Sequence, residues 1–246
     1  MISVCIPTFN GERFINRQID SILMQIGPHD EIIISDDSST DRTIDIIKSY
    51  NDARIKLLEN CKFKSPVYNL ENALKLAKGD YIFLADQDDV WNENKVQITL
   101  EYFNKYNVII SDCNLINEED VEIHPSFFDL NRSKSGFVHN FIKNSYLGCC
   151  IAFDRKILWS ILPFPGNIAM HDIWIGLIAE LTGKPFFLSE KLVSYRRHSL
   201  NFTPTSKKSR FSIWYKIFYR LQFIFYAFIR YIKIKLHESQ HYNRYI

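Results

Sequence analysis

The chain has 246 residues, 46% hydrophobic and 24% charged, enough apolar material for the buried core of one large domain. Thirty Lys/Arg against 28 Asp/Glu leave a net charge of +2, which gives no reason to invoke nucleic acid as a partner. Five cysteines (Cys5, Cys61, Cys113, Cys149, Cys150) form no CxxC pair and no zinc spacing, so a reduced, cytosolic protein without disulfides is expected.

In chain order, the first apolar run, Ile2 to Ile6, reads as a buried strand closed by Pro7; MISVCIPTFN lacks the basic and apolar regions of a secretion signal. Phe14 or Ile15, Ile19, Ile22, Leu23 and Ile26 then recur at helical spacing until Gly27-Pro28. Glu31 to Ser35 is a second strand, Ile44, Ile47 and Tyr50 mark a helix, and Arg54 to Leu58 is a third strand. Leu70, Ala73, Leu74 and Ala77 make the next helical face, with a left-handed cap expected at Gly79. Tyr81 to Ala85 is the fourth strand, followed by a helix over 93–106 and a strand at Val108 to Ser111. A polar loop is expected over 117–135, an apolar strand at Leu147 to Phe153, a helix from Asp172 to Leu181, and two short strands at Phe186 to Leu188 and Leu192 to Tyr195. Short buried strands separated by helices predict a mostly parallel sheet covered on both faces, with ligands beyond the carboxyl ends of its strands.

Polar clusters follow those ends. Asp86-Gln87-Asp88-Asp89 comes directly after the apolar YIFLA. Three carboxylates within four residues repel one another, and a hard cation with oxygen ligands, Mg2+ or Mn2+, would neutralise them while bridging phosphates. The plain alternative is a solvated acidic turn capping the next helix. Asp36-Asp37-Ser38-Ser39-Thr40-Asp41 offers helix caps, but capping needs only one such group. An Asp at a strand end can also accept from the imide N–H of uracil or thymine. Asp172, in AMHDIWIG, is either a helix cap or a general base. Arg196, Arg197 and His198 form a surface cluster or meet a diphosphate leaving group.

The order PTFN, ISDDSSTD, LADQDDVW, GCCIAFDRK, HDIW, YRRH over residues 1 to 200 resembles glycosyltransferase family 2, in particular its bacterial rhamnosyltransferase-like branch. The resemblance implies an α/β GT-A fold, an inverting transfer and a cofactor of Mn2+ or Mg2+. It sets Pro7, Thr8 and Asn10 against the nucleotide, Asp37 on the base and Asp86 in the DxD element. Asp88 and Asp89 are expected at the metal with His198, Asp172 is expected as the base, and His171 and Trp174 are expected on the acceptor side. The segment Asn60 to Pro66 departs from the family, which tends to carry a glycine after the asparagine.

The resemblance also implies a nucleotide-sugar donor, dTDP-rhamnose or a UDP-hexose, and a saccharide acceptor in bacterial surface polysaccharide synthesis. The expected organisation is a catalytic domain over 1–206 and a basic aromatic helical tail over 207–246. That tail carries nine Lys/Arg against one acid, Glu238. Its longest uninterrupted apolar run, Phe223 to Ile229, is well below the ~20 residues that span a bilayer. Drawn as a helix, Ser212, Lys216, Arg220 and Arg230 form one polar stripe. That composition predicts a helix lying on an anionic membrane, and together with the resemblance it implies a place at the inner face of the cell membrane and a polyprenyl diphosphate-linked acceptor; the alternative is a helix packed on the domain with its basic stripe in solvent. Two rival classes are a non-catalytic nucleotide-sugar binding protein and a sugar-phosphate nucleotidyltransferase. The second requires a glycine-rich phosphate loop, and Pro7 to Gly11 has one glycine.

Overall fold

A computed structural model describes residues 1–168, 170–198 and 213–242, with side chains placed for 218–236 of the last segment. The elements in order are β1 (Ile2–Thr8), α1 (Ile15–Leu23), β2 (Glu31–Asp36), α2 (Thr43–Ser49), β3 (Ile55–Leu58), α3 (Pro66–Leu76), β4 (Tyr81–Leu84), β5 (Val90–Trp91) and α4 (Lys95–Tyr102). Then come β6 (Val108–Ile116), β7 (Glu122–His124), α5 (Phe127–Asn131), α6 (Phe137–Ile142), β8 (Ile151–Asp154), α7 (Leu158–Ile161), α8 (His171–Thr182), β9 (Pro185–Arg196) and α9 (Ile213–Tyr242).

The strands form one sheet in the order β3-β2-β1-β4-β8-β6-β9-β5, with β7 on β6. The run β3-β2-β1-β4 is parallel, β8 is antiparallel to both β4 and β6, and β9 is parallel to β6. Every residue of β1 and β2 is buried, as befits parallel strands with helices on both faces. One core layer carries Val67, Leu70 and Leu74 of α3 against Cys5, Ile33 and Ile82. The other packs Ile15, Ile19 and Ile22 of α1 against Val4, Ile6 and Phe83.

Several expectations need correction. Gly79 does not have a left-handed backbone; a Cβ there would lie 2.5 Å from Ser3 N, so the absence of a side chain lets the chain pass β1. The segment 117–135 is not plain loop, because β7 and α5 lie in it. Leu147 to Phe153 splits into a 3-10 turn at Gly148–Cys150 and β8. The two short strands at 186–195 are one strand, β9, whose register against β6 shifts between Ser111 and Cys113. A bulge of this kind breaks the alternation that marks a continuous strand.

The expected boundary at 206/207 lies outside the described residues. Helix α9 packs on the domain: Phe223, Ala227 and Ile234 are buried, and Phe223 meets the Trp174 ring at 6.3 Å. Of the stripe drawn from the sequence, Arg220 and Arg230 turn toward the domain, while Ser212 and the Lys216 side chain lie outside the described residues. Arg220 Nε donates to Phe141 O at 3.0 Å, and Arg230 Nη1 donates to Ser160 O and Leu162 O, each at 2.8 Å. Both guanidinium groups therefore face the domain, capping carbonyls that α6 and α7 leave free. Among the described residues no helix is long and apolar enough to cross a membrane.

Candidate active site

The carboxyl ends of β1, β2 and β4 bring three loops together. In the first, Thr8 is buried and its Oγ1 donates to Asp36 Oδ2 at 2.8 Å. Asn10 takes a left-handed backbone (φ 49°), its N–H donating to Ser39 Oγ and its Oδ1 accepting from Thr40 N, both at 2.8 Å. Pro7 is buried at the strand end and Phe9 is exposed. In the second loop, Asp36 is fully buried and also accepts from Ser39 N and Ser39 Oγ. It organises the turn, leaving Asp37 nearer the opening. Asp37 accepts from Phe63 N at 2.6 Å and Ser65 N at 3.2 Å, so the unusual Asn60 to Pro66 segment folds back onto this carboxylate. Asn60 and Lys64 make that fold with left-handed backbones, φ 61° and 51°.

Gln87, the middle residue of the third loop, went unread in the sequence. Its Oε1 accepts from Phe9 N at 2.9 Å and its Nε2 donates to Phe9 O at 3.1 Å, tying the first loop to the third. A Cβ on Gly11 would lie 2.5 Å from that Oε1, which gives the lone glycine of the first loop its purpose.

The three acids of the third loop diverge. Asp86 is half-buried, and burial together with the charges of Asp88, Asp172 and Cys150 pushes its carboxyl up to about 8. Asp88 Oδ2 lies 2.6 Å from His198 Nε2, so the chain two residues beyond β9 returns to the cluster. Asp89 points inward: it is fully buried, Oδ1 accepts from Arg196 N at 2.9 Å, and Oδ2 has no N–H or O–H donor among the described residues, with the Cys149 thiol beside the carboxyl. Burial, then the charges of Asp88 and Asp86, raise its carboxyl well above the ordinary range. Behind it Lys95 is buried over the Trp91 ring at 5.1 Å, with Nζ donating to Cys149 O at 3.4 Å.

These groups fit a divalent cation. Ligand atoms of Asp86, Asp89 and Cys149 lie within 4.8 Å of one another, and Asp89 Oδ2 lacks an N–H or O–H donor. The Asp88 carboxylate, paired with the His198 imidazole, lies outside that group, although its charge is felt at Asp86 and Asp89. Carboxylate oxygen and imidazole nitrogen suit Mn2+, and carboxylates with water suit Mg2+.

Arg196 is not a phosphate ligand. It is fully buried, its Nε donates to Asp88 O at 2.8 Å, its Nη1 to Asn117 O at 2.9 Å, and it pairs with Asp120. Its guanidinium also lies 4.6 Å from the Phe14 ring centroid. Nothing in a YRRH string distinguishes an inward from an outward arginine.

Asp172 sits in the first turn of α8, buried, with Oδ1 accepting from Ile173 N at 2.7 Å and Oδ2 from Asn144 Nδ2 at 3.2 Å. Burial pushes its carboxyl up to about 6 against the pull of those two donors, and its charge is felt at Asp86. Asn144 is a second residue the sequence did not reveal. His171 is half-buried, and burial lowers its imidazole to about 4, so it stands neutral next to the base. A Cβ on Gly148 would come within 2.6 Å of His171 Nε2, so Gly148 makes the space the imidazole occupies. Trp174 is placed away from the crevice: it is fully buried and its Nε1 donates to Ile161 O at 2.8 Å. It packs α8 against α7 and α9 and has no surface to offer an acceptor.

Comparisons with known proteins bear on the fold and the family. The Escherichia coli UDP-Glc:alpha-D-GlcNAc-diphosphoundecaprenol beta-1,3-glucosyltransferase WfgD is 29% identical over 164 residues, covering 64% of this chain and 62% of that protein. The chain therefore matches under two thirds of that relative's length. The Shigella flexneri dTDP-rhamnosyl transferase RfbG is 26% identical over 213 residues, covering 79% and 72%. Among solved structures, S. aureus TarS 1–349 in complex with UDP-GlcNAc superposes with a TM-score of 0.68 at 19% identity, over 85% of this chain and 62% of that one. A Pyrobaculum calidifontis mannosyltransferase in complex with GDP-Man and Mn2+ gives 0.57 at 20% identity, over 77% and 54%. At these identities the structures establish a shared fold. The model of Glycosyl transferase family 2 matches residues 3–162, and the chain belongs to that family.

Proposed function

We infer that the protein transfers a sugar from a nucleotide diphosphate donor, dTDP-rhamnose or a UDP-hexose, to an acceptor hydroxyl with inversion at the anomeric carbon. The observation that carries this reading is Asp172: a carboxylate raised to about 6 and electrostatically linked to the acidic turn at Asp86. A base poised near the working pH is what deprotonation of an attacking hydroxyl needs. A protein that only binds a nucleotide sugar has no use for it.

Asp37, Thr8 and Asn10 are assigned to the donor nucleotide, with Pro7 shaping the turn beneath it. Asp37 retains acceptor capacity for a base imide N–H beside its two backbone donors. Asp86 faces the ribose and diphosphate, and Asp88, His198 and Asp89 Oδ2 are assigned to the cation. A bound Mn2+ or Mg2+ supplies a Lewis acid that offsets charge on the departing nucleoside diphosphate. Asp172 takes the hydroxyl proton, Asn144 holds its second oxygen, and neutral His171 lines the acceptor side. One base opposite one stabilised leaving group suffices for a single displacement.

The name of WfgD supports an acceptor on a polyprenyl diphosphate lipid and that of RfbG a dTDP-rhamnose donor; a role in bacterial surface polysaccharide synthesis follows from that reading. We assign residues 1–206 to the catalytic domain and 207–246 to a membrane-directed tail working at the inner face of the cell membrane. The test supplies UDP-glucose and dTDP-rhamnose in turn with a polyprenyl diphosphate-linked N-acetylglucosamine and Mn2+. Release of nucleoside diphosphate with a glycosylated lipid supports the reading; formation of nucleotide sugar and pyrophosphate from UTP or dTTP and a sugar 1-phosphate in a parallel assay, with no transfer to the lipid, identifies a nucleotidyltransferase and overturns it.

A further inference from the structure

Turning Arg220 and Arg230 toward the domain leaves the opposite side of α9 uncovered. Phe218, Leu221, Phe225, Phe228, Ile232 and Leu236 are 67%, 59%, 60%, 61%, 40% and 58% exposed. Their spacing of three and four residues makes one continuous apolar stripe along the helix. It extends sideways: Arg220 holds Ile142 O at 2.6 Å, and Ile142 and Val138 of α6 are themselves 64% and 71% exposed. An apolar surface shared by two elements exceeds the isolated exposed residues that soluble surfaces ordinarily carry.

We propose that the outer face of α9, extended by Val138 and Ile142 of α6, is the surface on which the protein docks to an anionic lipid bilayer. Charge selects this occupant. No Asp or Glu lies between Glu190 and Glu238, and Lys233 and Lys235 are exposed beside the stripe. A second copy laid on this face would bring lysine against lysine, whereas anionic headgroups neutralise them. In this orientation the arginines are the domain's clamps and the rings are the lipid contact. Phe223, on the inner side of α9, packs on Trp174, two residues beyond Asp172. The bilayer face thus lies behind α8, the helix that carries Asp172. The purpose of this face rests on the proposed lipid-linked acceptor, but its test needs no catalysis, so either can fail alone.

The full chain is floated with vesicles of equal parts phosphatidylglycerol and phosphatidylcholine, and with phosphatidylcholine alone. Wild type is expected to partition onto the anionic vesicles, and Phe225→Ser/Phe228→Ser to lose about tenfold in partition with an unchanged thermal midpoint and unchanged nucleotide-sugar binding. If that pair impairs folding, Leu221→Ser/Ile232→Ser is read in the same way. Absence of wild-type binding to anionic vesicles, or equal binding by wild type and a folded variant, overturns the proposal. So does a wild-type dimer that the variant dissolves while neither floats, which would make the stripe an interface between copies.

Discussion

The backbone N–H of Arg196 donates to Asp89 Oδ1 at 2.9 Å while its guanidinium Nε donates to Asp88 O at 2.8 Å, so one residue of β9 grips both neighbouring acids of the metal loop. The same side chain reaches Asn117 O and Asp120, which fastens the loop after β6 to the loop after β4. Because Asp88 in turn meets His198, the spacing of the groups proposed to hold the cation depends on this clamp.

Arg196→Met removes the side-chain part of the clamp and leaves buried carbonyls without donors. A loss of about 2 to 4 kcal/mol in unfolding free energy is expected by chemical denaturation. Arg196→Lys should recover little, since an ammonium cannot reproduce the planar fork that serves several acceptors at once.

Asp172→Asn should keep donor binding and lose transfer by at least ~10². In the wild type the carboxylate form is required and is protonated below about 6, so turnover at saturating substrate should rise about tenfold per pH unit up to that value and level off above it. The stability effect has the opposite sense. A carboxyl raised on folding is stabilising below its unfolded value, and that contribution is lost as pH rises through about 6. Asp172→Asn should therefore melt higher than wild type at pH 8 and not at pH 4, by at most about 3 kcal/mol.

Protons and the cation compete for the acidic turn. With Asp86 pushed up to about 8, the metal-free cluster holds a proton at pH 6 that a cation must displace. Thermal stabilisation by Mn2+ should grow between pH 6 and pH 8, and Asp88→Ala should flatten the dependence.

Gly148→Ala places a methyl where His171 sits. Displacement of the imidazole should lower acceptor kcat/KM about tenfold with donor affinity unchanged, seen by comparing turnover with equilibrium binding of the nucleotide sugar.

How much was legible follows from what each signal depends on. The strands β1, β2 and β4 are short apolar runs buried on both faces, and the three polar clusters at their ends could be located because parallel sheets bind ligands there. The path of β9 was not legible, since its register shift against β6 removes the alternation. Direction was not legible either: Asp88 and Asp89 are neighbours in sequence, yet one meets His198 near the opening and the other is buried on Arg196. Trp174, two positions from Asp172, points into the core for the same helical reason that Asp172 can point into the crevice. Arg220 and Arg230 form a polar stripe on a wheel, but free carbonyls on α6 and α7 turned that stripe inward. Gln87, Asn144 and Gly148 act through contacts distant in sequence and carry no local pattern.

The central claim is tested most directly by NMR of the glycosylated lipid made from an α-linked nucleotide sugar by wild type and by Asp172→Asn. The account predicts a β-linked product with stoichiometric nucleoside diphosphate from wild type, and at least ~10² less product from the variant. A retained α linkage, or near-normal product from Asp172→Asn, would contradict it.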